Sequence, residues 1–300
     1  MNEPLDPEIA AALARAGLCG HAFRHLSKTI SPESRRSVYR IDTDTGNTIK
    51  ARRVEDEGTA RRLFEVRREL PDAFAAVIGI YGSVLLEEWV EGEELGNEIP
   101  TDANIVTAAA LLARLHTTQT LAGQRLRERR STAAWRDTAE ESLRHILAVD
   151  ALDTTAAARI LDALQRLDPG EATVGLVHTD FCGENMVVDR AGRLRVVDNE
   201  RIGVDALAFD VARTWYRWGL PARAWERFRS AYVARMSFRE PLDTIGFWSI
   251  VAVTHSAALR LRADRARAYI PLERLRQMAL EPGRLLASGP RPRGWVQPEC

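Results

Sequence analysis

Lysine is almost absent from this chain. Of its 42 Lys and Arg residues, all but Lys28 and Lys50 are arginine. Such a bias reflects genome composition, so a retained lysine is informative. Cysteine is scarce too: Cys19, Cys182 and Cys300 have neither paired nor metal-ligand spacing. That excludes a disulfide scaffold or a zinc ribbon and points to a reducing cytoplasm. No apolar run approaches membrane-spanning length, and the acidic opening MNEPLDPEIA does not read as a signal peptide. Net charge is missing as well, with 42 acidic against 42 basic residues. No global field therefore draws the chain to nucleic acid or to a membrane, and a cytoplasmic monomer or homodimer is expected. The arginines from Arg260 to Arg267 are interleaved with Leu261, Ala263 and Asp264 and read as an exposed helix face. Repeats and low-complexity linkers are absent. With 45% hydrophobic residues in 300, the chain can bury substantial cores.

Chemistry concentrates between Leu176 and Glu200, in LVHTDFCGENMVVDRAGRLRVVDNE. The stretch contains His178-x-Asp180-x4-Asn185, then a hairpin, then Asp198 after an apolar run. Val174, Leu176 and Val177 lead extended into the loop. Met186 to Val188 form a strand, Asp189 to Gly192 a turn, and Leu194 to Val197 the returning strand. The hairpin brings Asn185 and Asp198 together. Phosphoryl transfer needs these parts in this order: a carboxylate for the attacking hydroxyl's proton, then an amide and a second carboxylate for Mg2+. Mg2+ wants few protein oxygens, because waters and phosphates complete its shell.

These residues resemble the aminoglycoside phosphotransferase and choline kinase family, the small-molecule branch of the protein-kinase-like fold. The family pattern H-G-D-x4-N, an Asp after a hairpin and a further Asp at a D-L-A-like helix start read here as His178-Thr179-Asp180, Asn185, Asp198 and Asp210-Val211-Ala212. Thr179 stands where the family usually has Gly. Asp198-Asn199-Glu200 departs from the commoner D-W/F-E. The resemblance implies an α+β fold of two lobes. Residues 1–90 would form a small antiparallel sheet with one helix, ending in a hinge at about 87–90, and residues 91–300 a larger, mainly helical lobe. It further implies ATP or GTP with Mg2+, and a small-molecule hydroxyl acceptor. Asp180 and His178 are then the expected catalytic residues, Asn185 and Asp198 the metal ligands. Asp210 is expected to support the catalytic loop.

Lys50, in the extended run Thr48-Ile-Lys-Ala51, resembles the kinase strand lysine that contacts phosphates. Its expected partner is Glu65 on a helix from Gly58 to Leu70, with Glu69 as the alternative. The segment from Thr29 to Val38 occupies the phosphate-loop position without a single glycine. Ser34 and Ser37, with Ser31, offer donors there, and Arg35 or Arg36 offers charge; a solvated hairpin is the equal alternative. Backbone groups from Glu87 to Val90, including those of Glu88 and Val90, are expected at the adenine edge. His116 reads as a packed, hydrogen-bonded helix histidine. Glu200 and Asp205 are candidates for acceptor contact. Trp215, Trp218, Trp225, Phe228, Tyr232 and Trp248 form either a cage for a cationic headgroup or plain helix packing, with packing favoured. A protein kinase is disfavoured, because the short path from Asp198 to Asp210 leaves no room for an activation loop. A nucleotide-binding module without turnover is the remaining alternative.

Overall fold

A computed structural model describes residues 5–26, 37–96, 100–121, 124–198 and 200–281. The chain divides into two compact units. One comprises Met1–Gly96, Leu121–Gln124 and Asn185–Ile202; the other comprises Asn97–Thr120, Arg125–Glu184 and Gly203–Cys300. Where a division at residue 90 was expected, the first unit runs on to Gly96 and recruits the hairpin from Asn185 to Ile202.

In chain order the first unit begins with helix α1 (Pro7–Arg15) and strands β1 (Gly20–His25), β2 (Ser37–Thr43) and β3 (Thr48–Arg53). Helix α2 (Glu57–Glu69) and strands β4 (Val77–Tyr81), β5 (Val84–Glu88) and β6 (Gly92–Glu94) follow. Five strands form one antiparallel sheet in the order β1-β2-β3-β5-β4. Strand β2 buries Ser37, Tyr39, Ile41 and Thr43 in strict alternation, the period of a sheet with one covered face. Helix α1, absent from the expected lobe, covers it. Its apolar stripe Ile9, Ala12 and Leu13 packs on Tyr39, Ile41, Ile49 and Leu86. Pro7 opens α1 and the Asp6 carboxylate accepts from the Glu8 N–H at 2.9 Å, a start signal written in the sequence. Helix α2 is capped likewise by Asp56, and buries Ala60, Leu63, Val66 and, unexpectedly, Arg67.

Two short strands, β7 (Thr120–Leu121) and β8 (Gln124–Arg125), precede the longer β9 (Glu128–Ser131) and β10 (Glu171–Val177) of the second unit. The expected hairpin is β11 (Met186–Asp189) and β12 (Leu194–Val196), and β11 also pairs with β6. Gly92 has to be glycine there, since a Cβ would collide with the Val188 carbonyl. The hairpin is fastened to its own unit by the Val196 N–H, which donates to the Ala73 carbonyl at 2.8 Å.

The second unit is mainly helical. It contains α3 (Asp102–Thr117), α4 (Ala133–Ala148), α5 (Thr154–Leu167), α6 (Leu207–Trp218), α7 (Ala222–Val233), α8 (Glu240–Asp243), α9 (Ile245–Ala263) and α10 (Tyr269–Leu280). Its small sheet, ordered β13-β10-β9, adds β13 (Gly203–Ala206). Trp215, Trp218, Trp225, Phe228, Tyr232 and Trp248 are all buried, and Trp225 stacks on Phe228 at 5.2 Å. Those aromatics are core, as helix spacing favoured. No helix among the described residues is long and apolar enough to cross a membrane.

Candidate active site

Two clusters carry the expected chemistry, one on each unit. On the first unit, side chains of Lys50 and Arg52 leave the same face of β3, because they lie two residues apart in a strand. Both reach the carbonyl of Val197, Lys50 Nζ at 2.8 Å and Arg52 Nη2 at 3.4 Å. Val197 precedes Asp198, and its own N–H donates to the Asn185 carbonyl at 3.0 Å. The hairpin register pairs Met186 with Val196, so Asn185 and Asp198 flank its open end. Lys50, Asn185 and Asp198 are thus brought together within one unit.

Of the two glutamates expected beside Lys50, Glu65 pairs in this structure with Arg68 one turn along α2, at 3.3 Å, and Glu69 is exposed. No ion pair joins either to Lys50 among the described residues. The acid beside Lys50 is Glu87 of β5, which lies opposite it in the sheet register. Glu87 is buried with two more cations, Arg67 at Oε1 and Arg52 at Oε2, the latter at 3.5 Å. The polarity is the reverse of the expected one: the helix supplies a cation and the strand supplies the carboxylate. Burial alone would raise the Glu87 carboxyl, but Arg67, Arg52 and Lys50 outweigh it and hold it below the usual range. Burial first, and Arg52 second, lower the Lys50 ammonium from 10.5 to about 8.

The remaining nucleotide-side expectations fare differently. Ser34 lies outside the described residues, as do Ser31, Arg35 and Arg36. Ser37 is buried, and its hydroxyl donates to Asp6 at 3.0 Å, so this side chain serves the α1 cap. At the end of β5 the Glu88 N–H donates to Ala76 at 2.9 Å and the Trp89 N–H to Thr48 at 3.3 Å. The Glu88 side chain is exposed, and Val90 is half-buried just beyond the strand.

On the second unit the loop from His178 to Glu184 is pinned by Asp210 at the start of α6. Asp210 is buried and accepts from the His178 N–H at 2.6 Å and the Thr179 N–H at 2.8 Å. His116 Nε2 lies 3.0 Å from the same carboxylate, and His116 Nδ1 lies 2.7 Å from the Tyr232 hydroxyl. Burial would raise the Asp210 carboxyl; His116 and His178, with the loop amide, bring it below the usual range. Both expectations, a supporting Asp210 and a packed His116, agree with this geometry. His178 is itself buried, with its Nδ1 accepting from the Asp180 N–H at 3.3 Å and its ring edge-on to Phe181.

Asp180 is part-buried between two arginines of α6. Arg217 Nε donates to its Oδ1 at 2.9 Å, and Arg213 Nη2 lies 3.7 Å away. Burial opposes the Arg217 charge, yet Asp180 first, then Cys182 and Glu184, raise its pKa above the ordinary arginine value. The sequence reading missed Arg52, Arg213, Arg217 and the carboxylate of Glu87. Their signals were present: Arg213 and Arg217 follow Asp210 by three and seven residues, which is one helix face. Asp205, by contrast, takes a hydrogen bond from Trp135 Nε1 at 2.9 Å, and burial raises its carboxyl.

Thr179, the departure from the family glycine, adopts φ +63°. A β-branched residue pays about 1–2 kcal/mol in that left-handed region. It is held there from both sides, by its N–H to Asp210 and by its carbonyl, which accepts from Arg213 Nε. Thr179→Gly is therefore expected to raise stability by about 1 kcal/mol, since glycine adopts this φ freely. Urea denaturation checks this, and an equal or lower midpoint would contradict the strain.

A five-stranded antiparallel sheet with a helix, a loop-and-hairpin segment and a mainly helical second unit defines the protein-kinase-like fold. The chain belongs to the phosphotransferase enzyme family, whose sequence description matches residues 28–243. It is a phosphotransferase of the kind that takes an alcohol as acceptor. Among solved structures, a spectinomycin phosphotransferase, APH(9)-Ia, in complex with ADP and spectinomycin is similar at 12% identity and TM-score 0.65. The match covers 94% of this chain and 100% of that one. A choline kinase from Cryptosporidium parvum Iowa II is similar at 12% identity and TM-score 0.64, covering 93% and 96% of the two chains. A macrolide 2'-phosphotransferase from Brachybacterium faecium is similar at 15% identity and TM-score 0.59, covering 91% and 97%. No curated protein sequence matches significantly.

Proposed function

We propose that the protein transfers the γ-phosphoryl group of ATP, or of GTP, to a hydroxyl of a small metabolite or antibiotic in the cytoplasm, as a monomer or homodimer. The observation that carries this reading is the convergence of Lys50, Asn185 and Asp198 on the open end of one hairpin, with Asp180 five residues before Asn185. Among the described residues no group of three or more His, Cys, Asp or Glu side chains forms a metal cage. Asn185 and Asp198 fit Mg2+ nonetheless, since an amide and a carboxylate oxygen suffice where phosphates and water complete the shell. When bound, Mg2+ supplies charge neutralisation along the phosphates. Lys50 steadies phosphate oxygens as a compact ammonium, and the backbone after Glu88, as far as Val90, holds the base edge. Asp180 orients the acceptor hydroxyl and accepts its proton, while Asp210 keeps the loop in register. The solved relatives named above act, by their names, on spectinomycin, choline and macrolides. An alcohol-bearing small molecule is the shared acceptor class.

Calorimetric titration of ATP and GTP, with and without Mg2+, tests the nucleotide half. Metal-dependent binding should appear in the wild type and be lost in Asp198→Ala. The same titration carries a pH signature from Lys50. Its ammonium, not its amine, attracts phosphate, so nucleotide affinity should fall as pH rises through about 8. Stability runs the other way. Between about pH 8 and 10.5 the unfolded chain holds a proton that folded Lys50 has lost, so the cost of burying this charge fades as pH rises. Affinity that stays flat from pH 7 to 10 would remove Lys50 from the phosphate site.

A further inference from the structure

We propose that Arg52 is a resident cation of the phosphate site, occupying the charge role of a second divalent ion, so that this enzyme works with a single Mg2+. The inference rests on the nucleotide reading above. Protein kinases use two Mg2+ ions held by a carboxylate and an amide, and the ions neutralise charge along the phosphates. In this chain the acids of that region already face a fixed positive group. Arg52 Nη1 lies 3.5 Å from Asp198 Oδ1 and 3.6 Å from Glu200 Oε2, and its Nε lies 3.5 Å from Glu87 Oε2.

The guanidinium has no solvent exposure, while the Asp198 side chain is about half exposed. Arg52 cannot swing out to water and return as a mobile surface arginine would. Its Nη2 points at the Val197 carbonyl, and Glu87 and the β3 ladder hold it from behind. None of its contacts to the three carboxylates is closer than 3.5 Å, and its Nε and Nη1 atoms make no hydrogen bond. The group therefore acts as a shared counter-charge more than as the tight partner of one acid.

Charge counting gives the consequence. Lys50, Arg52 and Arg67 face Glu87, Asp198 and Glu200, three cations against three anions. One Mg2+ on Asp198 and Asn185 serves the incoming phosphates. A second would meet acids that are already neutralised, beside a buried guanidinium that repels it. Asp198 Oδ2 makes no hydrogen bond or ion pair among the described residues, so one oxygen stays available to a metal while Oδ1 faces Arg52. Arg52 is thus a positioning residue for the metal carboxylate, and its sequence signal is the spacing Lys50-x-Arg52 on one strand face.

The test counts metal ions without turnover. The full chain is saturated with the non-hydrolysable analogue AMP-PNP, and bound Mn2+ is counted by electron paramagnetic resonance. The wild type should bind one Mn2+ per nucleotide-loaded chain. Two ions would overturn the proposal while leaving the nucleotide reading intact; no nucleotide-dependent Mn2+ binding would overturn both. Arg52→Gln should expose a second Mn2+ site or tighten the first by at least about tenfold, because a repelling charge has gone. Arg52→Lys should restore a count of one. Should Arg52→Gln fail to fold, Glu200→Gln decides. A count of one with affinity within about twofold of wild type supports the proposal; loss of the ion, or tenfold weaker binding, means that Glu200 is a metal ligand and overturns it.

Discussion

Asp180→Ala should leave Mg2+-dependent nucleotide binding close to wild type and cut phosphoryl transfer by about 10²–10⁴-fold, the range that a positioned general base supplies. The split follows from where the residues reside. Lys50, Asn185 and Asp198 belong to the first unit and Asp180 to the second, so the nucleotide side keeps its geometry when the base is removed. The alanine variant also strips a carboxylate from Arg217 and Arg213, which contact it at 2.9 and 3.7 Å. Asp180→Asn separates these effects. It keeps the side chain's shape and an oxygen for Arg217, but it is too weak a base to take the proton. Both variants should lose kcat with little change in nucleotide affinity. Wild-type turnover by Asp180→Asn on a true acceptor would show that another group takes the proton.

Glu87→Ala should cost about 3–5 kcal/mol, the penalty for removing one partner from a buried charge cluster. Arg67 and Arg52 are buried with it, and Lys50 lies opposite it in the sheet. Removing the only carboxylate among them that is itself buried leaves cations that water cannot reach. Against a typical stability of about 5–15 kcal/mol, that is a large fraction, and urea melts would register it directly. Glu65→Ala provides the contrast. Its partner is Arg68 on the exposed side of α2, so its effect should remain within about 0.5 kcal/mol. A larger loss for Glu65→Ala than for Glu87→Ala would restore the helix glutamate to the role first expected of it.

These two glutamates also show how far the sequence could be read. The hairpin from Met186 to Val196 was legible because a turn ending in glycine, at φ +75°, between two apolar runs leaves few alternatives. Helix α2 was legible from its apolar stripe. Which glutamate serves Lys50 was not, because that depends on the β3–β5 register, a contact between residues 37 positions apart. Glu87 stands next to Glu88 in a strand, and only pairing across the sheet decides that one is buried and the other exposed. The catalytic loop reads the same way. Asp210 could be assigned to its support by resemblance to the family. That Arg213 and Arg217 would turn toward Asp180 and Thr179 is set by how α6 rotates against its neighbours. Helix α1 escaped notice for a different reason: Asp6-Pro7 is a clear start signal, but nothing local says which sheet the nine-residue helix will cover.

The recruitment of the Asn185–Ile202 hairpin by the first unit has a consequence for biosynthesis. The sheet of residues 20–88 emerges from the ribosome early, yet the strand that pairs with β6 and the amide that bonds to Ala73 belong to β11 and β12. Until the chain has been made as far as Ile202, the guanidinium of Arg52 and the Ala73 carbonyl lack partners that the later segment supplies. The first unit is therefore a discontinuous folding unit that closes only after much of the second has been synthesised. Nascent chains halted at Gly96 would hold all five strands of the sheet but leave Arg52 and strand β6 without their partners, a substrate for chaperones.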